Sequence, residues 1–223
     1  MNELTLIIPA KNEKESLPSV LEELNAYKIN IIIILEKDDF ETIDAIKSFD
    51  KELIFQSNKG YGDALILGIN NVKTKYFCIF NADGSFNPAE LQNMYKKIKT
   101  NNFDLLFATR YEKNAASDDD TIVTFIGNKI FTLLGKIFFS LSITDILYTF
   151  VICETQKVQS LNLKQKDFSF CVELPIKAQR NNCIISTIPS HERERIGGEK
   201  KVNAFKDGFI ILKHMIKMYF NID

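Results

Sequence analysis

Residues 76–88, YFCIFNADGSFNP, decide the fold, because an apolar run passes directly into a polar turn. Residues 76–80 are aromatic or aliphatic apart from Cys78, which predicts a buried strand. A buried strand rarely ends on an amide and a carboxylate unless a turn or a ligand requires them, and here Asn81 and Asp83 follow at once. Two interpretations of Asp83 stay open: it forms a turn with Gly84, or it holds a cation against phosphates.

Apolar runs of this kind alternate with helical patterns through the first half of the chain. LTLIIP (4–9) and INIIIIL (29–35) predict strands, and the second is so continuously aliphatic that both of its faces must be covered. Further strands are predicted at 52–56, 75–80 and 103–108, and helices at 12–27, 40–49, 62–72 and 88–100. This alternation predicts an α/β protein with a doubly wound, mostly parallel sheet flanked by helices.

The second half of the chain has a different distribution of polar and apolar residues. A polar loop (111–120) leads into a long apolar segment (121–152), which Lys129, Lys136 and Asp145 interrupt. A helix that spans a membrane needs ~20 apolar residues, and these charges leave no uninterrupted stretch of that length. We therefore predict that the segment forms a core helix with one face on the sheet, or a helix that lies at a membrane surface.

A second amphipathic helix is predicted at 204–220. Lys206, Lys213 and Lys217 share one broad side of it and alternate with large apolar residues. This side is either an ordinary solvated face or a surface that contacts anionic lipid.

Composition limits the classes of protein to which the chain can belong. With 223 residues, 45% of them hydrophobic, one domain with a sizeable core is expected. A formal net charge of −1 argues against a general nucleic-acid-binding protein, and two histidines exclude a multi-histidine metal site. Four widely spaced cysteines without a C-x-x-C pair indicate reduced thiols, and the first residues do not resemble a signal peptide, so we expect a cytoplasmic protein.

The predicted strands end in unusually polar sequences, which would line one crevice because ligands bind beyond the carboxyl ends of parallel strands. The four ends are PAKNE (9–13), EKDD (36–39), SNKGYG (57–62) and NAD (81–83). Carboxylates and a Gly-x-Gly turn suit a nucleotide diphosphate with a divalent cation, since they offer hard oxygen ligands and close approach of the backbone. The sequence lacks the G-x-G-x-x-G fingerprint, which argues against a Rossmann dehydrogenase.

A series of short motifs, taken in order, resembles glycosyltransferase family 2, and most closely its dolichyl-phosphate mannose synthase-like members. The motifs are IIPAKNE (7–13), NKGYGDAL (58–65), FNADGSFNP (80–88), ATRY (108–111), ITDILYTF (143–150), FSFCVELPIKAQRNN (168–182) and RIGGEKKVN (195–203). They cover nearly the whole chain. The resemblance implies a single GT-A domain (1–223), with a nucleotide-sugar-binding half at 1–110 and an acceptor-binding half with amphipathic helices at 111–223.

The resemblance places the donor site in the first half. The residues that it implies for donor binding are Pro9, Ala10, Glu13, Glu36, Lys59, Gly60, Asn81, Ala82 and Asp83. Glu36 stands near the place where the family usually has Asp-Asp-Gly-Ser, and it is the candidate for contact with the base. Asn81-Ala82-Asp83 replaces the family's Asp-x-Asp, so Asp83 would coordinate Mg²⁺ or Mn²⁺ between the donor phosphates, with Asn81 and Ser85 as further ligands.

The resemblance also implies phosphate-binding and catalytic residues. Arg110 would face the phosphates, and Arg195 and Lys201 would hold an anionic acceptor or the diphosphate, because arginine makes bidentate phosphate contacts and lysine acts as a point charge. Arg195, Gly198 and Lys201 fit the family's Arg-x-x-Gly-x-Ser-Lys pattern, with Lys200 in place of serine. Asp83, Arg110 and Asp145 are the catalytic candidates, and Asp145 would take the proton of an acceptor hydroxyl.

Each of these residues also has a simpler interpretation. Glu13 would only interact with a helix dipole, Arg110 would be a surface charge, and Asp145 would cap local backbone. Glu173 would be a structural ion-pair partner, and residues 191–201 would be a mobile charged loop.

The sequence therefore predicts a metal-dependent, inverting glycosyltransferase that takes a UDP- or GDP-sugar. The expected acceptor is a polyprenyl (dolichyl or undecaprenyl) phosphate, which is anionic and needs no strong base, at the cytoplasmic membrane surface. A family 2 transferase that acts on a glycan hydroxyl and a non-catalytic nucleotide-sugar-binding protein stay open as alternatives. A sugar-phosphate nucleotidyltransferase would share the sheet type, but its Gly-rich signature near the amino terminus is missing.

Overall fold

A seven-stranded sheet forms the centre of the computed structural model, which describes residues 1–197 and 203–222. The strands along the chain are β1 (Leu4–Pro9), β2 (Asn30–Leu35), β3 (Glu52–Phe55), β4 (Tyr76–Ile79), β5 (Leu105–Thr109), β6 (Ala116–Ser117), β7 (Val151–Glu154), β8 (Ile185–Pro189) and β9 (His191–Glu192). The order in the sheet is β3-β2-β1-β4-β7-β5-β8, and β7 runs antiparallel to both neighbours. Strands β6 and β9 form a separate parallel pair.

Helices cover both faces of this sheet. They are α1 (Leu17–Asn25), α2 (Phe40–Ala45), α3 (Tyr61–Asn71), α4 (Leu91–Asn101), α5 (Ile122–Phe139), α6 (Thr155–Gln159), α7 (Phe170–Arg180) and α8 (Ala204–Tyr219), with a short 3₁₀ turn at Pro88–Glu90. Side chains along a strand alternate between the faces, so Leu6 and Ile8 pack on the side of α1 and α4, whereas Ile7 packs on the side of α3 and α7. The predicted α/β architecture is confirmed.

The first helix begins later than predicted. The helix predicted from Asn12 begins at Leu17, because Asn12 adopts a left-handed backbone with a φ of +52°. The backbone N–H groups of Asn12 and Glu13 donate instead to the side chains of Asp39 and Thr42. These hydrogen bonds connect the polar turn to the start of α2. Helix α1 begins one residue before Pro18, and proline is well suited to the first turn of a helix.

The long apolar segment (121–152) is not one helix. Helix α5 ends at Phe139, where Ser140 adopts a left-handed conformation, and an irregular stretch then leads into β7. Strand β7 was not predicted, because its residues continue the apolar run of the helix without a break. Strand β8 was also missed, since its polar residues hide the pattern at the edge of the sheet.

Helices α5 and α8 pack against each other and leave a broad apolar surface exposed, which we call the α5–α8 face. Its exposed large side chains are Ile122, Val123, Phe125, Ile126, Ile130, Leu133, Ile137, Phe138, Phe205, Phe209, Leu212, Ile216, Tyr219 and Phe220. Helix α5 is therefore only partly a core helix: Phe139 belongs to the core and Phe131 and Leu134 pack against it, whereas most of its other large apolar side chains are exposed. Among the described helices, α5 alone is long and apolar enough to span a membrane by length and composition, with a mean hydropathy of 1.5.

Helix α3 lies unusually close to the sheet at Gly68. A Cβ atom there would sit 2.4 Å from Cγ2 of Ile7, which is fully buried in β1. In contrast, a Cβ atom at Gly127 in α5 would meet nothing within 4 Å. The two helical glycines thus have opposite surroundings.

We expect Gly68→Ala to lower the free energy of unfolding by about 1–3 kcal/mol, because the added methyl group overpacks the interface between helix and sheet. The matched control, Gly127→Ala, should raise it by up to about 1 kcal/mol, since alanine has the higher helix propensity. Urea denaturation followed by circular dichroism measures both. Equal effects of the two substitutions would show that contact with Ile7 does not decide the cost.

Candidate active site

A cavity of about 630 Å³ opens beyond the carboxyl ends of β1, β2, β4 and β5. Of the residues proposed from the sequence, Pro9, Ala10, Glu13, Glu36, Gly60, Asn81, Ala82, Asp83, Arg110 and Arg195 line it. Lys59, Ser85 and Asp145 do not line the cavity, but they contact Glu36, Asp83 and Arg110, respectively, which do. Gly198 and Lys201 fall outside the described residues.

Asp83 belongs to the turn that follows β4 and also faces the cavity. Its Oδ1 accepts hydrogen bonds from the backbone N–H and the hydroxyl of Ser85, at 3.0 and 2.7 Å. Gly84 between them has a φ of +83°, a conformation that favours glycine. The other carboxylate oxygen, Oδ2, lies 3.6 Å from Nη1 of Arg195. The turn therefore orients one oxygen of Asp83 towards a positive charge across the cavity.

The groups beside Asp83 suit a hard divalent cation. Asn81 contributes an amide and Ser85 a hydroxyl. The Asn81 Nδ2 atom donates to the Ser85 hydroxyl at 3.4 Å, so the amide oxygen of Asn81 is directed away from Ser85. Oxygen atoms of this kind are the ligands that Mg²⁺ and Mn²⁺ take, often with only one or two carboxylates and the rest from phosphates. Among the described residues, no group of three or more acidic, histidine or cysteine side chains is arranged so that it could hold a metal ion by itself. The site thus fits a cation that a diphosphate helps to hold.

Arg110 follows β5 and is nearly buried, with a side-chain exposure of 11%. Its Nε and Nη2 atoms donate to the two oxygens of Asp145 at 2.8 and 2.9 Å, and Nη1 donates to Glu192 at 3.1 Å. The ring of Tyr148 lies 4.6 Å from the guanidinium carbon. Burial lowers the pKa of Arg110, but the hydrogen bonds and charge of Asp145 outweigh it and raise that pKa above its ordinary value. The surface-charge interpretation of Arg110 is therefore wrong.

The two carboxylates that hold Arg110 also balance its charge. Arg110 lines the cavity, yet much of its hydrogen-bonding capacity is already used by Asp145 and Glu192. Burial raises the pKa of Glu192. The positive charge of Arg110 acts in the opposite direction but does not cancel this effect. Arg110 therefore faces the cavity with a charge that it already shares with two carboxylates, and its contact with phosphates stays a prediction.

Asp145 is buried and forms hydrogen bonds with Arg110 and its neighbours. It is 1% exposed, and its oxygens accept hydrogen bonds from the guanidinium and backbone N–H of Arg110 and from the amide of Asn128 in α5. It does not belong to the cavity lining. This geometry favours a positioning role for Asp145 over the role of proton acceptor that the sequence suggested.

Arg195 is held on the opposite side by a carboxylate that the sequence reasoning did not single out. Its Nε and Nη2 atoms donate to the two oxygens of Asp119 at 3.0 and 2.7 Å. Residues 193–197 are tied to the β4 turn as well, because the N–H groups of Arg193 and Ile196 donate to the carbonyls of Ser85 and Asp83, both at 2.8 Å. The acidic run at 118–120 was the signal that could have identified this partner.

Glu13 and Glu173 have different surroundings. Glu13 lines the cavity, is 6% exposed and accepts a hydrogen bond from the Ser16 hydroxyl. Glu173 is buried in α7 and accepts hydrogen bonds from the backbone N–H groups of Lys164 and Gln165. It also forms an ion pair with Lys177. The structure therefore gives Glu173 the structural role that the sequence left open.

The loop that Glu173 anchors presses against the start of α3. A Cβ atom at Gly60 would lie 2.2 Å from the carbonyl oxygen of Lys166, and Gly60 has a φ of +128°. Only glycine fits there. This contact sets Tyr61 at the cavity, where it stacks on Phe168 with 5.1 Å between the ring centres.

A nucleophilic cysteine is not part of this site. Cys171 lies at the cavity, but burial raises its pKa to about 12, so it stays a neutral thiol at neutral pH. All four cysteines are free, and Cys78, Cys153 and Cys171 are buried, as the spacing of the cysteines predicts.

Solved structures of glycosyltransferases share this fold. Glucosyl-3-phosphoglycerate synthase from Mycobacterium tuberculosis, in complex with Mn²⁺, UDP and glucosyl-3-phosphoglycerate, superposes with a TM-score of 0.76 at 12% identity, over 99% of this chain and 80% of that one. Mannosyl-3-phosphoglycerate synthase from Rubrobacter xylanophilus superposes with a TM-score of 0.75 at 11% identity, over 98% and 74% of the two chains. The predicted GT-A fold is confirmed.

Curated sequence relatives have higher identity to this chain, and they too are named as glycosyltransferases. The hexosyltransferase Agl6 of low-salt glycan biosynthesis in Haloferax volcanii is 19% identical over 96% of this chain, which spans about half (53%) of that relative. An uncharacterised glycosyltransferase of Mycobacterium tuberculosis is 23% identical over 93% of both chains. The model of glycosyl transferase family 2 matches residues 5–160, more than half of the sequence. The chain is therefore a glycosyltransferase and belongs to glycosyl transferase family 2.

Proposed function

We propose that this protein transfers a sugar from a nucleotide-sugar donor, with the help of Mg²⁺ or Mn²⁺, to a polyprenyl phosphate at the cytoplasmic membrane surface. The observation that carries the proposal is the position of one cavity. It joins the Asp83 turn on one side to the first turns of α5 on the other, where Thr124 and Asn128 line it. The same helix continues into the apolar α5–α8 face. A polar reaction site thus lies beside a surface suited to lipid.

Residues 1–110 supply the donor side in this proposal. The strand ends that carry Pro9, Glu36 and Asp83 open side by side onto the cavity, so one nucleotide can contact all three. Glucosyl-3-phosphoglycerate synthase from Mycobacterium tuberculosis, which shares this fold at 12% identity, holds UDP together with Mn²⁺. A nucleotide diphosphate with a divalent cation is therefore the ligand that we assign to this chain.

The chemistry is a direct displacement that inverts the sugar. An oxygen of the acceptor forms a bond to the anomeric carbon while the bond from that carbon to the diphosphate breaks, and the electron pair leaves with the diphosphate. When bound, the divalent cation supplies positive charge against this leaving group. Arg195 would add a second positive charge, and Asp83 and Ser85 would hold the diphosphate end of the site in place. An anionic acceptor oxygen needs no proton acceptor.

Residues 111–223 supply the acceptor side. Helix α5 is 18 residues long, or about 27 Å, and Lys129 and Lys136 are exposed along it. Because Thr124 and Asn128 belong to the polar cavity, the helix suits a position along the membrane surface better than one across the bilayer. In that position, the mouth of the cavity would lie near the lipid headgroups.

The acidic lining supports a second candidate, a transferase that acts on a glycan hydroxyl. Asp119, Asp120 and Glu192 line the acceptor side of the cavity, and among the described residues each arginine there is already paired with carboxylates. A hydroxyl acceptor would need a proton acceptor, and a carboxylate can serve. Incubation with labelled UDP- and GDP-sugars, with and without Mn²⁺, separates the candidates. Label that partitions into an organic phase only with polyprenyl phosphate supports the lipid acceptor, and label on a soluble glycan supports the hydroxyl acceptor.

Asp83→Ala should lower transfer by at least about 100-fold, because the change removes the carboxylate that faces the cation and the diphosphate. The fold should stay intact, since Asp83 lies at a strand end beside the cavity. Turnover assays and thermal unfolding measure the two effects. Asp44→Ala, which removes an exposed carboxylate of α2, is the control and should leave turnover unchanged. Wild-type turnover of the Asp83 variant would refute the assigned role.

Asn81→Asp should tighten the binding of Mn²⁺ in the presence of a nucleoside diphosphate, because it adds a negative charge next to Asp83. Isothermal titration with Mn²⁺ measures the affinity directly and does not depend on turnover. An unchanged or weaker affinity would show that the side chain at position 81 does not face the cation.

We expect weak, salt-sensitive binding to anionic liposomes through the α5–α8 face. Lys213→Glu with Lys217→Glu should weaken this binding more than about tenfold, because each lysine near an anionic surface contributes about 1 kcal/mol. Lys47→Glu, at an exposed lysine that follows α2, is the control for the change of charge. Sedimentation with liposomes of phosphatidylglycerol measures the bound fraction. A complete lack of binding at low salt would count against the lipid acceptor.

A further inference from the structure

The turn that carries Asp83 lies beyond the end of β4 and outside the strand pairing of the sheet. Strand β4 ends at Ile79, and the turn residues Gly84, Ser85 and Phe86 are buried. A buried carbonyl group without a hydrogen bond costs free energy, so these groups require donors from elsewhere in the protein. The donors therefore show what holds the turn in place.

The segment that follows β9 runs along this turn and supplies two backbone donors. The N–H groups of Arg193 and Ile196 donate to the carbonyls of Ser85 and Asp83, both at 2.8 Å. The side chain of Ile196 also lies over Gly84, where an added Cβ atom would be 2.5 Å from Cδ1 of Ile196. The backbone of the segment thus follows the turn closely.

The side chain of Arg193 supplies donors to the other two carbonyls of the turn. Its Nη2 atom donates to the carbonyls of Gly84 and Phe86, at 2.8 and 3.0 Å. A guanidinium is always charged, and its hydrogen bonds are stronger than those between neutral groups. Each carbonyl from Asp83 to Phe86 therefore accepts a hydrogen bond from the segment after β9, and three of these four bonds come from Arg193.

The guanidinium of Arg193 also forms an ion pair with Glu23 in α1. Its Nη1 and Nη2 atoms donate to the two carboxylate oxygens of Glu23 at 3.3 and 3.0 Å. The two side chains are 32% and 39% exposed, and ion pairs that are so accessible to water contribute little to stability. We therefore expect the contacts with the carbonyls, rather than the ion pair, to fix the turn.

The backbone of the turn decides where the carboxylate of Asp83 points. Its Oδ1 atom is held by the N–H group and the hydroxyl of Ser85, two residues later in the same turn. A change in the backbone between these two residues therefore also moves the carboxylate. Gly84 lies between them and restricts the backbone least of all residue types, so the restraint has to come from outside the turn.

We propose that Arg193 is a positioning residue for the cation site: it binds the carbonyls of the turn and so holds the Asp83 carboxylate in the orientation that coordinates Mg²⁺ or Mn²⁺. This inference rests on the proposed function, because it takes Asp83 as a ligand of the cation. Arg193 does not line the cavity and therefore acts through the turn rather than on a bound ligand. A cation site in the first half of the chain thus depends on a residue of the second half.

The test is isothermal titration of Mn²⁺ into the purified protein saturated with UDP and, separately, with GDP. Arg193→Met should weaken the binding of Mn²⁺ roughly tenfold or more, because two buried carbonyls lose their donor. The affinity for the nucleotide without Mn²⁺ should change less than about twofold, whereas a general loss of structure would weaken both. Arg193→Lys keeps the charge but not the fork of donors, so it should weaken Mn²⁺ about threefold, and it serves alone if the methionine variant does not fold.

A second measurement needs no cation. Hydrogen exchange of residues 81–87 in the metal-free protein should be at least about tenfold faster in Arg193→Met than in the wild type, because the turn opens more often. Glu23→Gln is the matched control, since it removes the charge of the ion pair and leaves the contacts with the carbonyls. It should change neither the exchange nor the affinity for Mn²⁺.

The outcomes separate the inference from the proposed function. If the wild type binds Mn²⁺ and a folded Arg193 variant binds it as tightly, the inference is overturned and the proposed function stands. Unchanged exchange in Arg193→Met, or an equal loss of affinity in Glu23→Gln, would overturn the inference in the same way. If the wild type does not bind Mn²⁺ with either nucleotide, the metal-dependent function is refuted and the inference with it.

Discussion

The guanidinium of Arg110, held between Asp145 and Glu192, is the interaction on which the shape of the cavity depends. It joins the end of β5 to the segment before β7 and to the β6–β9 pair, and Asn128 adds α5 to the same cluster. Without this positive charge, two buried carboxylates would face each other, which a protein interior tolerates poorly. The wall of the cavity opposite the ends of β1, β2 and β4 is thus arranged around the positive charge of one arginine side chain.

The sequence was sufficient for the first half of the chain (1–110) and insufficient for the second half (111–223), for physical reasons. Strands β1, β2 and β4 are continuous apolar runs with polar ends, so both the sheet and the crevice beyond Asp83 follow from local patterns. Strand β7 lacks such a boundary, because it continues the apolar run of α5. The partners of Arg110 lie 35 and 82 residues away in the sequence, and no local pattern could pair them.

The cationic side chains that line the cavity in the described part of the chain are paired with carboxylates before any ligand enters, and the carboxylates outnumber them. Lys11 is paired with Glu36, Arg110 with Asp145 and Glu192, and Arg195 with Asp83 and Asp119. A diphosphate that arrives alone would meet this surplus of carboxylates, whereas one that brings a divalent cation adds little net charge. Arg195 can then exchange a carboxylate for a phosphate oxygen, since both accept the same bidentate geometry. Donor and cation are therefore expected to bind together.

Helix α5 has one side in the cavity and the other on the α5–α8 face. Because a helix moves as a rigid unit, a displacement of its outer side also moves Thr124 and Asn128 in the cavity wall. Any contact that favours one position of α5 from outside then changes affinity inside, and occupancy of the cavity changes the strength of the outer contact by the same factor. By this reciprocity, a contact on the outer side of α5 would act as an effector of binding in the cavity.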